Sequence, residues 1–280
     1  MNLNFDELDK NAQSLENIDY LSMLDECLVD LDLEIEQPKM LLSIGTHDYK
    51  GFQYPTSIMT EGEFSAIIAQ SKAKKSFLKS ALVGAYIGGD SNLLFPNITT
   101  HRKEDYGIAD FDTEQGRYYT QRTFRRIQEI TGCRYDNYKG FATRHKSSSE
   151  RLFMIDACLK NQKRYFTEDI KLLSIDGIAD LVENTNDILM SKEASDYVLK
   201  WTYDYNLHIT TIIHKSGLTN KPLGHLGTYV LKKAETVIDL EIQEDKSIKV
   251  TNPYSRGYRF DDFVFDVNKD ALPYLIDNGF

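Results

Sequence analysis

The chain has 280 residues, 41% of them hydrophobic, with a net charge of −10 and a pI near 5.1. That is room for one α/β domain with an appendage around a real core; it excludes a disordered chain and a non-specific, whole-surface nucleic-acid binder, though not a ring with a basic lining. Three widely spaced cysteines (Cys27, Cys133, Cys158) form no C-x-x-C pair, the acidic start carries no signal peptide, and no 18-residue apolar run appears, so zinc ribbons, disulfide frameworks and membrane spans are not expected and a reducing cytoplasm is.

Residues 1–37 are rich in Asp, Glu and Leu. Ile18, Leu21, Leu24, Leu28 and Leu31 recur at helical spacing, which predicts a short amphipathic helix ending before Pro38. It packs on its own domain or serves as an arm on a neighbouring subunit; the residues leave both open. Residues 38–280 read as one domain. Strands are expected at Met40–Ser43, Ser65–Ala69, Gly107–Asp112, Lys171–Ile175, His208–His214, Thr236–Glu241, Ser247–Val250 and Asp262–Phe265. Helices are expected at 76–88, 117–131, 149–161, 177–183, 191–206 and 225–234. This alternation predicts an α/β fold: a mainly parallel central sheet with helices on both faces and antiparallel edge strands.

The stretch 63–82 reads E-F-S-A-I-I-A-Q-S-K-A-K-K-S-F-L-K-S-A-L. An apolar strand enters a loop that ends in Lys75-Ser76, and an apolar helix follows, which is the layout of a phosphate-binding loop. Unpaired N–H groups and the positive end of the dipole at a helix start favour a polyphosphate. Lys75 is then the amine for the outer phosphates and Ser76 the hydroxyl for Mg²⁺. The usual pattern, G-x-x-x-x-G-K-[ST], has glycines where this chain has Ala69 and Lys74. By itself the loop also fits an ordinary lysine-rich helix start. A second element, K-L-L-S-I-D-G (171–177), is a buried-type strand ending in Asp176, a position suited to supporting Mg²⁺. A third, G-I-A-D-F-D-T-E-Q-G-R (107–117), ends in Thr113-Glu114 before a helix. Glu114 is either an acid at a helix start or the carboxylate that orients and deprotonates an attacking water; beside the other two elements the second reading is preferred.

In this order of motifs the chain resembles the RecA-like ATPases, and most closely the compact RepA/DnaB-type hexameric helicase cores of phages, plasmids and mobile elements. The resemblance spans roughly residues 40–266 and includes H-I-T-T-I-I-H-K-S-G-L-T-N-K-P-L-G-H-L-G (208–227). Gly177, standing where AAA+ proteins carry a second acid, sets the chain apart from that group. The resemblance implies a RecA-like core that uses ATP and Mg²⁺, and a homo-oligomer, a hexameric ring, acting on single-stranded DNA with replication partners. It implies that residues Ala69, Gln70, Ser71, Lys72, Ala73, Lys74, Lys75, Ser76 and Phe77 hold the nucleotide and that His214 senses the γ-phosphate. It further implies that Lys215, Lys221 and His225 face DNA, and that an arginine near the last strands, Arg256 ahead of Arg259, reaches into a neighbour's site.

His47, His101, His145 and His208 are isolated and lack metal-ligand spacing. Trp201 and Tyr203 read as core. The function expected is an ATP-driven motor on single-stranded DNA. The alternative is a RecA/RadA-like recombination or nucleotide-gated assembly ATPase without helicase activity.

Overall fold

The computed structural model describes residues 19–216 and 224–276. The chain divides into two units, Met1–Gln37 and Pro38–Phe280. In the first, α1 (Tyr20–Cys27) is capped by Asp19, whose carboxylate accepts from the Ser22 N–H at 3.1 Å, and none of its residues is buried.

The second unit is mixed α/β. Its large sheet has nine strands in the order β12-β11-β10-β9-β3-β8-β7-β5-β6. These are β3 (Phe64–Ala69), β5 (Gly107–Asp112), β6 (Tyr138–Ala142), β7 (Ile170–Asp176), β8 (His208–His214), β9 (Thr236–Ile242), β10 (Ile248–Ser255), β11 (Phe263–Val267) and β12 (Pro273–Ile276). The run from β9 to β6 is parallel throughout, and β10, β11 and β12 add antiparallel strands at one edge. A small antiparallel sheet, β2-β1-β4, is built from β1 (Met40–Tyr49), β2 (Phe52–Thr60) and β4 (Ile98–Thr100). The expected strand at Met40–Ser43 belongs to this second sheet and not to the central one. β2, β4, β6 and β12 lie outside the strands expected from the sequence.

Parallel strands covered on both faces read as continuous apolar runs, and all six residues of β3 are buried. Alternate residues feed two cores. On one face, Ile67, Ile108, Leu172 and Ile212 pack with the small sheet and with α2 (Lys75–Ile87) and α3 (Arg117–Thr131). On the other, Phe64, Ala109, Leu173 and Ile209 pack against α4 (Ser148–Lys160), α5 (Ile188–Tyr205) and α6 (Gly224–Lys233). Helices thus cover both faces, as expected. The helix expected at 177–183 is a single 3₁₀ turn, Ile178–Leu181. Trp201 lies in the second core and donates to Asp156 at 3.1 Å, whereas Tyr203 points outward and is 83% exposed, which corrects its assignment to the core. Among the described residues no helix is long and apolar enough to cross a membrane, and Cys27, Cys133 and Cys158 are all free thiols.

The chain leaves β3 for β5, three places away, and only later inserts β7 and β8 between them, while β9 lands on the other side of β3. Connections from β3 and from its neighbours therefore diverge, and a crevice opens outside their carboxyl ends, where open α/β sheets bind ligands.

On β6, Gly140 lets the Phe124 ring of α3 lie flat on the strand: a Cβ there would stand 2.2 Å from the ring. Gly140→Ala should cost about 1–3 kcal/mol in urea unfolding, and less in a Phe124→Leu background, where the ring is absent. An equal cost in both backgrounds would mean that the ring is not what the glycine accommodates.

Candidate active site

Four sequence-distant segments meet at the carboxyl ends of β3, β8, β7 and β5. Ser71–Phe77, Glu114, Asp176 and His214 line one cleft of about 370 Å³, together with Gln115, Thr123 and Arg126. The amino end of α2 opens into it. Its N-cap, Lys74, makes no side-chain cap, so the first-turn N–H groups face the cleft with the dipole's positive end.

The loop is glycine-poor, and the backbone explains how that works. Ala69 is the last residue of β3, paired in register with His214, and needs no glycine. Lys74 has φ 53° and ψ 29°, the left-handed conformation that a glycine supplies freely, and Lys72 has φ 67°. A side chain in that region costs on the order of 1 kcal/mol. Lys74 offsets this by pairing its ammonium with Asp266 and donating to the Lys246 carbonyl at 2.9 Å, which ties the loop to the β10 and β11 ends.

Lys75 Nζ donates to the Gln70 carbonyl at 3.2 Å and to His214 Nδ1 at 3.1 Å. His214 Nε2 is 2.8 Å from Glu114 Oε1. With the ammonium donating to Nδ1, the ring proton sits on Nε2 and is donated to Glu114. That hydrogen bond, helped by nearby Lys75, holds the Glu114 carboxyl below the ordinary glutamate range against its partial burial. Burial pulls Lys75 below the ordinary lysine value, opposed by Glu114 and Asp176. Ser76 Oγ lies 3.3 Å from Asp176 Oδ2.

Beneath this layer is a buried ionic group that the motifs did not reveal. Lys79, one helical turn below Lys75, is 3.0 Å from Asp110 Oδ1 and 3.3 Å from Asp176 Oδ2, with all three side chains at most 5% exposed. Burial works against the Lys79 charge, but Asp110 and Asp176 outweigh it and hold its pKa above the ordinary lysine value. Asp110 also accepts from the Tyr138 hydroxyl at 2.9 Å. Burial raises the Asp176 pKa; Lys79 opposes this, and the surrounding Asp112, Asp110 and Glu114 add to it. Asp112 orders the Glu114 loop by accepting the N–H groups of Glu114 and Gln115 at 3.1 and 2.8 Å. Arg126 is a further residue that the motifs missed. Its guanidinium lies 3.7 Å over the Phe77 ring and donates weakly to the Ser76 carbonyl at 3.5 Å, with no carboxylate partner among the described residues. Burial, then Arg122, lowers its pKa to about 10. A charged residue four positions after Lys75 in an apolar helix, and an Asp inside an apolar strand, were the available signals for Lys79 and Asp110.

Among the described residues no group of three or more His, Cys, Asp or Glu side chains could hold a metal alone. The donor set fits Mg²⁺ in another way: one hydroxyl and one carboxylate beside a phosphate cradle, with a local excess of buried carboxylates over cations, the arrangement for a metal that arrives with substrate phosphates.

Other expected residues lie elsewhere. Lys215, expected to face DNA, is 5% exposed, and its ammonium is held by both Asp239 oxygens at 2.6 and 2.8 Å. Lys221 lies outside the described residues. His225 is exposed at the start of α6, its N–H bonded to the Thr185 carbonyl at 2.8 Å. Arg256 grips both Glu63 oxygens at 2.8 Å and the Lys233 carbonyl at 2.6 Å, at the amino end of β3 and so away from the cleft. His208 is buried between Thr60 and Ser65, and burial lowers its pKa to about 4.

The chain matches no protein-family model, and a search of curated proteins found no match. The functional reading therefore stands on the residues and the geometry.

Lys79→Met should leave Asp110 and Asp176 buried without a counter-charge. The unfolding free energy should fall by about 3–5 kcal/mol in urea. An unchanged midpoint would show that the trio carries no stability.

Proposed function

We propose that this protein is an ATP-hydrolysing RecA-like motor that acts on single-stranded DNA as a ring-forming homo-oligomer of the replicative helicase type. One observation carries the ATPase reading: Lys75, Ser76, Glu114, Asp176 and His214, expected from four separate motifs to serve one reaction, line one cleft. The resemblance of the motif order to RepA/DnaB-type cores supports the motor and its DNA substrate.

In this reading the α2 amino end and Lys75 bind the β- and γ-phosphates. Ser76 and Asp176 hold Mg²⁺, which when bound neutralises charge on the phosphate oxygens. Arg126, poised over Phe77 beside Ser76, adds a cation from the same subunit. Glu114, kept ionised by its hydrogen bond from His214, accepts the proton of the attacking water. The water oxygen bonds to the γ-phosphorus, the bond from that phosphorus to the β-phosphate oxygen breaks, and ADP and phosphate leave. Lys75 now spends a hydrogen bond on His214, and His214 holds Glu114. Drawing the ammonium onto phosphate frees Nδ1, so the Lys75–His214–Glu114 chain reports phosphate occupancy to the base.

Lys75→Ala should weaken binding of a fluorescent ATP analogue by about 2–3 kcal/mol, up to roughly a hundredfold. Glu114→Gln should bind it normally and lose at least about a hundredfold in turnover, because glutamine cannot take the proton. Unchanged affinity in the first variant would overturn the phosphate-loop reading, and full turnover in the second would remove Glu114 as the base.

Arg256 can act only across a subunit boundary, in a head-to-tail arrangement that brings the amino edge of one sheet to the neighbour's cleft. Arg256→Ala subunits should then bind ATP without hydrolysing it. Mixing them with Glu114→Gln subunits should restore part of the turnover, since one interface order combines an intact Glu114 with an intact arginine. Co-assembly without rescue would remove Arg256 from the reaction.

A further inference from the structure

We propose that the groove between the start of α3 and edge strand β6 binds single-stranded nucleic acid and is the place where the strand acts on the hydrolytic loop; the coupling, though not the binding, rests on the ATPase reading. The groove is about 1170 Å³, roughly three times the nucleotide cleft. No carboxylate lines it. Its charged and polar walls are Arg117, Arg144, His145 and Gln121, and its rings include Tyr118 and Phe124. Arg117 and Arg144 have no carboxylate partner among the described residues, and Tyr118 is 67% exposed.

Charge bookkeeping makes this surface exceptional within the chain. Residues 1–37 carry eleven of the 43 acids and one of the 33 bases, leaving 32 of each for the rest. The unit that contains the groove is therefore neutral overall. Within it, residues 117–151 hold nine Lys and Arg against three acids. Guanidinium groups beside exposed aromatic faces match a strand whose phosphates are charged and whose bases are unstacked; a duplex would hide the faces that the rings need.

The groove also shares a wall with the cleft. Gln115 lines both, and Glu114 precedes it. Arg144 Nη1 lies 3.6 Å from where a Cβ on Gly116 would stand, so its guanidinium rests on the Glu114–Gly116 loop. A phosphate that draws Arg144 outward releases that loop, which gives a strand direct leverage on the base.

The test is fluorescence anisotropy with labelled dT15 and rU15 at two salt concentrations, with urea unfolding as the fold control. Arg117→Ala/Arg144→Ala should weaken binding at least about tenfold and reduce the salt slope by about 1.4, the value for two phosphate contacts on a single strand. Tyr118→Ala should weaken it at least about fivefold with the slope unchanged. Oligonucleotide binding that is absent in the parent protein, or equal in the parent and the folded variants, overturns the proposal. So does loss of self-association in sedimentation with oligonucleotide affinity intact, which would make the groove a contact between copies of this chain. If groove-dependent oligonucleotide binding holds but the parent protein binds no ATP, the groove stands and the ATPase reading alone falls.

Discussion

The buried Lys79 ammonium is the point on which the site depends. It joins α2 to β5 through Asp110 and to β7 through Asp176, inside the core and with almost no solvent. An ion pair in that position is not chosen for stability, because two apolar residues would pack there at lower desolvation cost. What the lysine does is oppose the burial that raises the Asp176 pKa. It also fixes the rotation of α2 one turn below Lys75, so the Lys75 ammonium, the Ser76 hydroxyl and the Asp176 carboxylate share one geometric reference. Asp110 and Asp176 bring negative charge into the core, and Lys79 balances it.

Above that level the site is held by weaker, exchangeable contacts. Lys75 rests on a carbonyl and an imidazole, Glu114 on the same imidazole, and Arg126 on a ring face and a distant carbonyl. Lys75 and Arg126 are cations satisfied by neutral partners that an anionic ligand can displace, since charge-assisted bonds to phosphate are about twice as strong as those to neutral acceptors. A rigid ionic base under a replaceable upper layer is the division of labour that a binding cleft needs.

Legibility in the sequence followed how local each feature was. β3, β7 and β8 are buried on both faces, so their apolar runs were visible, and the residues after them marked the cleft. The β1–β2 hairpin was harder to see. Phe52–Thr60 is polar, half exposed and interrupted by Pro55, and nothing in its pattern says that it forms a separate sheet. Lys79 and Asp110 are 31 positions apart and become a pair only when α2 lies across β5. Lys215 looked like an exposed base because Asp239, which neutralises it, is on a strand reached across β3. Charges whose partners lie across a sheet cannot be sorted into solvated and buried from the chain alone.

The same limit governs the bulk charge. A net charge of −10 argued for an acidic surface, yet that excess resides in residues 1–37 and the remainder is balanced. Averaging over the chain hid two opposite features: an acidic, leucine-rich extension and an arginine-rich helix beside the cleft. Fields at a surface depend on charges within about a Debye length, roughly 8–10 Å at physiological ionic strength. Within 38–280, the side chains that line a groove therefore weigh more in its potential than the charge of the whole unit. Whether a chain can hold a polyanion is a question about the nearest charges, and for the groove at α3 and β6 those that line it are Arg117 and Arg144.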